Sequence, residues 1–219
     1  MAEILDNFPL LLALDVGGTN CRAELVAWQD GALSEPIVSA ALRTPVRDGD
    51  GTVRTITELC HELLGRLTDQ QRKLVAGVGL GVPGVLDPDT GVVRLASNLG
   101  WRNRHVAQEI QAAVGLPVFL THDVTAAGTA EQMLGAGRGE ADVMAVFVGT
   151  GIAATVTSGG VMLRGGLLPG GERQQAGEIG HLPVAIDGPL CGCGQRGCLE
   201  LYCSARAIGR LYSEALGID

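Results

Sequence analysis

Apolar residues along this chain fall first in a block, then in alternation, then at helical spacing. "LLLALDV", Leu10 to Val16, is a nearly unbroken apolar run ending at Gly17-Gly18, which predicts a buried strand closed by a turn. "NCRAELVAW" alternates loosely and predicts a second strand, and "IVSAALRT" predicts a third. From Thr52 to Leu67, apolar side chains recur at Val53, Ile56, Leu59, Leu63, Leu64 and Leu67, the spacing of one helix face. "LVAGVGLGV" predicts a strand, and the turn-rich "PGVLDPDTGVVRL" after it predicts a hairpin. Val106, Ile110, Ala113 and Val114 mark a helix, and "PVFLTH" a strand. "DVTAAGTAEQMLGAG" predicts a helix with Asp123 as its N-cap and glycine at its end. The order is β-β-β-α-β-α-β-α with a hairpin inserted, so a mixed sheet with helices on its faces is expected.

The pattern then restarts. "VMAVFVGTGIAATVTSGGVML" follows the layout of "LLALDVGGTNCRAELVAWQDGAL": apolar strand, Gly/Thr turn, second strand, Gly turn. A second copy of the unit begins near Ala141. After a cysteine-rich stretch it supplies only one more helical pattern, "SARAIGRLYSEALG", before Asp219. The repeat is thus expected to be unfinished, and the chain to be a fragment or shortened version of a longer two-domain protein. The expected division is an N-terminal α/β domain over 1–118 and the start of a second over 119–219.

Composition narrows the function. With 46% hydrophobic and 3% aromatic residues among 219, the core is expected to be aliphatic. The net charge is −8 and Lys73 is the sole lysine, which argues against a nucleic-acid backbone as partner. It leaves room for a small phosphorylated ligand held by backbone N–H groups. The N-terminus starts acidic and its apolar run is too short to cross a bilayer, so a cytoplasmic, thiol-reducing setting is expected, with no membrane partner.

Four stretches carry candidate chemistry. In "LDVGGTN", a Gly-rich turn between strands can expose amides to phosphate oxygens, Thr19 adds a hydroxyl, and Asp15 can bind Mg²⁺ directly or through water. The other reading is a tight hairpin needing glycine. "FVGTGIAA" is its counterpart in the second copy, with the same two readings. Asp123 follows a strand and opens a helix, where ligands gather in α/β sheets. It is either a proton acceptor for a substrate hydroxyl or a plain N-cap. The fourth is "GEIGHLPVAIDGPLCGCGQRGCLE". Cys191 and Cys193 are too close in sequence for a good mutual disulfide. With Cys198 and His181 they form a Cys₃His set suited to a closed, structural Zn²⁺ site. Glu178 and Glu200 flank these ligands; they either accept hydrogen bonds from vicinal hydroxyls or are solvated surface carboxylates.

Together "ALDVGGTN", "GVGLGVPGVLD", "SNLGW", "HDVTAAGTAE", "VGTGI" and "GEIGH…CGCGQRGCLE" resemble the ROK family of sugar kinases, repressors and uncharacterised reading frames, and within it the bacterial glucokinases. The resemblance implies an actin-like ATPase (ribonuclease H-like) α/β fold of two βββαβαβα-type domains, and ATP-dependent phosphorylation of a hexose, glucose first. It implies ATP and Mg²⁺ at Asp15, Gly17, Gly18, Thr19 and Asn20 and at Gly149, Thr150 and Gly151. Asp123 is implied as catalytic base, and Gly84, Asn98, His122, Asp123, Glu178, His181 and Glu200 as sugar-binding residues. His181 is shared with Cys191, Cys193 and Cys198 as a zinc ligand. A homodimer is also implied.

Three departures stand out. His122 occupies a position where the family usually has a sugar-contacting Asn, which leaves fructose, N-acetylmannosamine and N-acetylglucosamine as other candidate sugars. Ala153 replaces the last glycine of the second turn. Family members also run on for about a further hundred residues, the size of a small domain. The family's transcriptional regulators add an N-terminal helix-turn-helix; with the first core strand starting at Leu10, none is expected ahead of it here.

Overall fold

The computed structural model describes residues 2–164 and 176–218. Residues 165–175 and Asp219, inside the expected second domain, lie outside the described residues. The chain divides into two compact units, Met1–Ala126 and Ala127–Asp219.

The first unit opens with a short helix, α1 (Ala2–Asn7), which the apolar pattern does not predict. Strand β1 (Leu10–Val16) follows, then β2 (Asn20–Gln29), the two-residue β3 (Ala32–Leu33) and β4 (Val38–Arg43). Helix α2 (Gly49–Gly65) and the single turn α3 (Asp69–Arg72) lead to β5 (Val75–Val82). Then come β6 (Val85–Asp87), β7 (Val92–Ala96), β8 (Trp101–Arg104), α4 (Val106–Val114) and β9 (Val118–His122).

Strand β1 is the pivot of the main sheet, whose order is β3-β2-β1-β5-β9 with β4 also paired to β2. β2 runs antiparallel to β1, while β5 and β9 run parallel to it in turn. A parallel neighbour needs a crossover, and α2 and α4 supply the two. Leu10, Leu12 and Val16 on β1 are fully buried, as expected for a strand flanked on both edges. The expected hairpin is present as β6–β7, but β8 extends it to a three-stranded sheet.

Helix α2 begins three residues before the expected Thr52. Asp48 supplies the reason: its side chain accepts a hydrogen bond from the Gly51 amide at 2.8 Å, capping the first turn. Ile56, Leu59, Cys60 and Leu63 then form one buried stripe facing the sheet. Each fully buried leucine stabilises the fold by roughly 1.5–3 kcal/mol. Exposed ion pairs such as Arg66–Glu62 contribute about 1 kcal/mol at most. Aliphatic packing therefore dominates this unit. Its one buried indole, Trp101, is 1% exposed and donates its ring N–H to the Gly49 carbonyl at 3.0 Å.

Helix α5 (Asp123–Met133) spans the division between the units. It starts at Asp123 itself, so Asp123 is the first helical residue and not the expected N-cap. In the second unit, β10 (Val143–Val148), β11 (Ile152–Ser158) and β12 (Val161–Met162) form an antiparallel sheet, in the positions that the repeat of the β1–β2 layout predicts. Gly128 of α5 lies so close to Thr155 of β11 that an added Cβ would overlap its hydroxyl. Beside it, the Thr157 hydroxyl donates to the Gln132 side-chain oxygen at 2.6 Å. Two helices, α6 (Glu200–Cys203) and α7 (Ala205–Leu216), end the described chain, with Ser204 capping α7 through the Ala207 amide. No described helix is long and apolar enough to cross a membrane.

The expected division after residue 118 places β9 apart from β5, whereas the structure pairs the two in one sheet from Val78↔Val118 to Val82↔His122.

Candidate functional site

The carboxyl ends of three parallel strands collect the first set of residues. Asp15 is the penultimate residue of β1 and pairs with Gly81 of β5, which pairs with Thr121 of β9. Asp123 follows β9 directly, and a Cβ on Gly81 would sit 3.7 Å from its Cα. A side chain larger than hydrogen at Gly81 would thus stand against the backbone of Asp123. This is where ligands bind in parallel α/β sheets. Packing around Asp15 raises its carboxyl above the usual carboxylate range; the negative charge of Asp123 adds to the rise and Arg22, its partner on β2, opposes it. Two carboxylates this close at the carboxyl ends of parallel strands of one sheet suit a shared divalent cation.

Asp123 is half-buried, and its Oδ1 accepts the Val124 amide at 2.7 Å and lies 3.2 Å from His122 Nδ1. One carboxylate oxygen is thereby pinned. Between β1 and β2, the Gly17 amide donates to the Asn20 carbonyl at 3.0 Å, closing a turn in which Gly18 and Thr19 are exposed. A Cβ on Gly18 would lie 3.4 Å from the Asn98 side-chain nitrogen, so Asn98, in the β7–β8 turn, stands over the Gly-rich turn. Gly84 adopts φ +108°, and a Cβ there would overlap the Leu95 carbonyl oxygen, so glycine is required where β5 hands over to β6. The first unit thus brings Asp15, the Gly17–Asn20 turn, Gly84, Asn98, His122 and Asp123 to one end of its sheets.

The second unit assembles the other set. The turn between β10 and β11 is tighter than its counterpart: the Gly149 amide donates to the Gly151 carbonyl at 2.9 Å. Ala153, in the last-glycine position, lies within β11 opposite Phe147. The segment carrying Glu178 and His181 is pressed onto β11, where Ala154 donates to the Gly177 carbonyl at 2.7 Å. Added Cβ atoms on Gly177 and Gly180 would overlap the Ala154 and Ile152 carbonyl oxygens. Glu178 is exposed, and its carbonyl accepts the His181 amide at 3.0 Å, closing a short 3₁₀ turn over Ile179–His181.

The cysteine stretch folds into a tight knuckle. Leu199 donates to Leu182, Cys191 to Gln195, and isolated bridges join Pro183 to Cys198 and Leu190 to Arg196. One ligand atom each from His181, Cys191, Cys193 and Cys198 lies within 4.8 Å of the others. Tetrahedral Zn²⁺ with bonds of about 2.3 Å requires sulfur–sulfur edges of roughly 3.8 Å. Here Cys193 Sγ is 3.6 Å from Cys198 Sγ, and His181 Nδ1 is 3.6 Å from Cys191 Sγ. The donor set fits zinc. The thiols also differ in acidity: the Gln195 amide holds Cys193 down to about 7, while burial and the neighbouring sulfurs push Cys198 up to about 12. Three thiols this close resist joint ionisation unless a cation takes them as thiolates.

Glu200 ties the knuckle to the turn. Its Oε1 lies 3.5 Å from Cys191 Sγ and 3.6 Å from His181 Nδ1, and its Oε2 is 2.9 Å from where a Gly151 Cβ would be. Sequence reasoning missed Thr44, which holds the first turn from behind. A lone threonine at a strand end carries no periodic or motif signal.

Fold and site together define an α/β chain of the actin-like ATPase (ribonuclease H-like) class. It belongs to the ROK family, whose model matches residues 11–217. A glucokinase of Thermotoga maritima is 36% identical over 206 residues, which cover 93% of this chain and 60% of that protein. A ROK family glucokinase from Streptomyces griseus, solved in complex with glucose and AMPPNP, superposes with a TM-score of 0.77 at 31% identity, covering 95% of this chain and 62% of that one. A xylose repressor of Bacillus subtilis is 31% identical over 153 residues, 70% of this chain and 38% of its own length. This chain spans 58–60% of the length of the curated glucokinases it matches.

Proposed function

We propose that this chain belongs to an ATP-dependent sugar kinase that passes the γ-phosphoryl group to a hexose hydroxyl, with glucose as the preferred sugar. The observation that carries the reading is Asp123, seated at the carboxyl end of β9 beside Asp15, with one carboxylate oxygen pinned by the Val124 amide. In this reading the free carboxylate oxygen takes the proton of the attacking hydroxyl. The Gly17–Asn20 turn, through the amides of Gly18 and Thr19 and the Thr19 hydroxyl, and the Gly149–Gly151 turn, through the amides of Thr150 and Gly151 and the Thr150 hydroxyl, face the phosphates in this reading. Asp15 holds Mg²⁺, which supplies charge neutralisation at the phosphates. Gly84, Asn98, His122, Glu178, His181 and Glu200 hold and orient the sugar. The zinc held by His181, Cys191, Cys193 and Cys198 is structural, since four protein ligands leave no open position. The T. maritima and S. griseus likenesses support the glucokinase reading. A cytoplasmic homodimer completes it.

A second reading has its own support. His122 is a departure at a sugar position, a ROK regulator shares the fold with a TM-score of 0.79, and xylose repressors match at 30–33% identity. These favour a kinase for another hexose or an N-acetylhexosamine, or a sugar-sensing regulator. The test is ADP release by the product of the complete reading frame on a panel of glucose, fructose, mannose, N-acetylmannosamine and N-acetylglucosamine. Glucose is expected to give the highest kcat/KM. Sugar binding without any turnover, together with specific, salt-sensitive DNA binding, would establish the regulator instead.

A further inference from the structure

Behind the Gly17–Asn20 turn, whose Gly18 and Thr19 are exposed, stands Thr44, the first residue after β4. Thr44 is 5% exposed, yet polar. Its hydroxyl donates to the Gly17 carbonyl at 2.6 Å and its amide to the Thr19 carbonyl at 2.9 Å. The sulfur of Cys21, fully buried at the start of β2, lies 3.3 Å from the same hydroxyl oxygen. Both flanking carbonyls of the turn are thus held from behind. The Gly17 amide is spent on Asn20, while the amides of Gly18 and Thr19 have no partner among the described residues, and both residues are exposed.

Peptide planes are rigid, so fixing a carbonyl also fixes the amide of the next residue, pointing the opposite way. Holding the Gly17 carbonyl fixes the Gly18 amide. Holding the Thr19 carbonyl fixes the plane that follows it. The same segment reaches a second loop: the Arg47 amide donates to the Asn98 carbonyl at 3.3 Å, and Arg47 adopts φ +50° there. A Cβ on Gly100 would lie 2.5 Å from the Arg47 carbonyl oxygen. Residues 44–47 therefore brace the Gly-rich turn at one end and the Asn98 loop at the other.

We infer that Thr44 is a positioning residue for the nucleotide: its hydroxyl holds the Gly17 carbonyl, and with it the plane of the Gly18 amide, so that this amide stays aimed at a phosphate oxygen, while its own amide anchors the far side of the turn at the Thr19 carbonyl. This rests on the reading of that turn as a phosphate site. Preorganised donors bind anions better because no ordering cost remains at binding. Thr44→Val keeps the shape and removes the hydroxyl; Thr44→Ser keeps the hydroxyl.

The experiment measures KM for ATP and for glucose, and ATP affinity by calorimetry, in the product of the complete reading frame. Thr44→Val is expected to raise KM for ATP and the ATP Kd about tenfold, the weight of one buried hydrogen bond. KM for glucose is expected to change less than about twofold, and Thr44→Ser to stay within about threefold of the unaltered protein on every constant. If Thr44→Val does not fold, Thr44→Cys takes its place, since a thiol is a weak donor of similar size, and an intermediate rise in KM for ATP is expected. An unaltered protein that phosphorylates glucose while the hydroxyl-free variant keeps its ATP constants overturns the positioning role alone. An unaltered protein that binds no ATP overturns the phosphate-site reading and this inference with it. Equal weakening of ATP and glucose would point to a general loss of packing and also overturns it.

Discussion

Asp123→Asn is expected to lower kcat for sugar phosphorylation by about two to four orders of magnitude, the range over which a positioned general base accelerates a reaction. A thousandfold loss corresponds to about 4 kcal/mol of transition-state stabilisation. The substitution is nearly isosteric. The amide oxygen still accepts the Val124 N–H that now bonds Oδ1 at 2.7 Å, so α5 keeps its first turn. Removing the charge also removes one of the causes that raise the carboxyl of Asp15. The nucleotide constants are therefore expected to hold within about threefold, the scale of a weak surface electrostatic effect. Steady-state kinetics with calorimetry of sugar and ATP on the same preparation separates the two outcomes. A variant with unaltered kcat would remove Asp123 from the chemistry and leave it as the opening residue of a helix.

Extraction of zinc is expected to have the other large effect. Four large apolar residues of the knuckle, Leu182, Val184, Ile186 and Leu190, are 56%, 57%, 89% and 65% exposed, and Leu199 is only half-buried, so hydrophobic burial does little to hold it together. A structural zinc stabilises a small site by roughly 10–16 kcal/mol, against about 1 kcal/mol for each hydrogen bond across the knuckle. Chelation is expected to release one zinc per chain, lower the melting temperature and raise KM for the sugar at least about tenfold, because Glu178, His181 and Glu200 lose their common support. Cys198→Ser is expected to do the same without chelator. Metal analysis, thermal unfolding and sugar kinetics are the readouts. Purified protein free of zinc, or a zinc-stripped protein with unchanged sugar KM, would contradict the site.

Much of this was visible in the order of residues, for physical reasons that differ by element. Strand β1 and helix α2 bury long aliphatic stretches, so their periodicity is strong. Strand β8 is "WRNR", with Trp101 as its single apolar residue, and exists because it pairs with β7 at a turn; no period marks it. α3 is one turn held by a reciprocal cap between Thr68 and Gln71, too short for a hydrophobic pattern. The assignment of β9 to the first sheet depends on parallel pairing with β5, a long-range contact with no local trace. Among the candidate site residues, the cysteine cluster was legible because ligand type and spacing state their own chemistry. The hold on the Gly17–Asn20 turn was not, because Thr44 acts through two carbonyls that any sequence would offer.

The central place of β1 also sets an order of assembly. Its antiparallel partner β2 follows at once and can close a local hairpin, whereas its parallel partner begins only at Val75, paired with Leu10, and β9 is more distant still. Non-local pairing is slow, since the intervening chain must first be ordered. A nascent chain therefore holds the apolar edge of β1 open until β5 has been synthesised. Asp123, just beyond β9, joins Asp15 only when both crossovers have closed, so on the ribosome the pair of carboxylates is among the last features of the first unit to form.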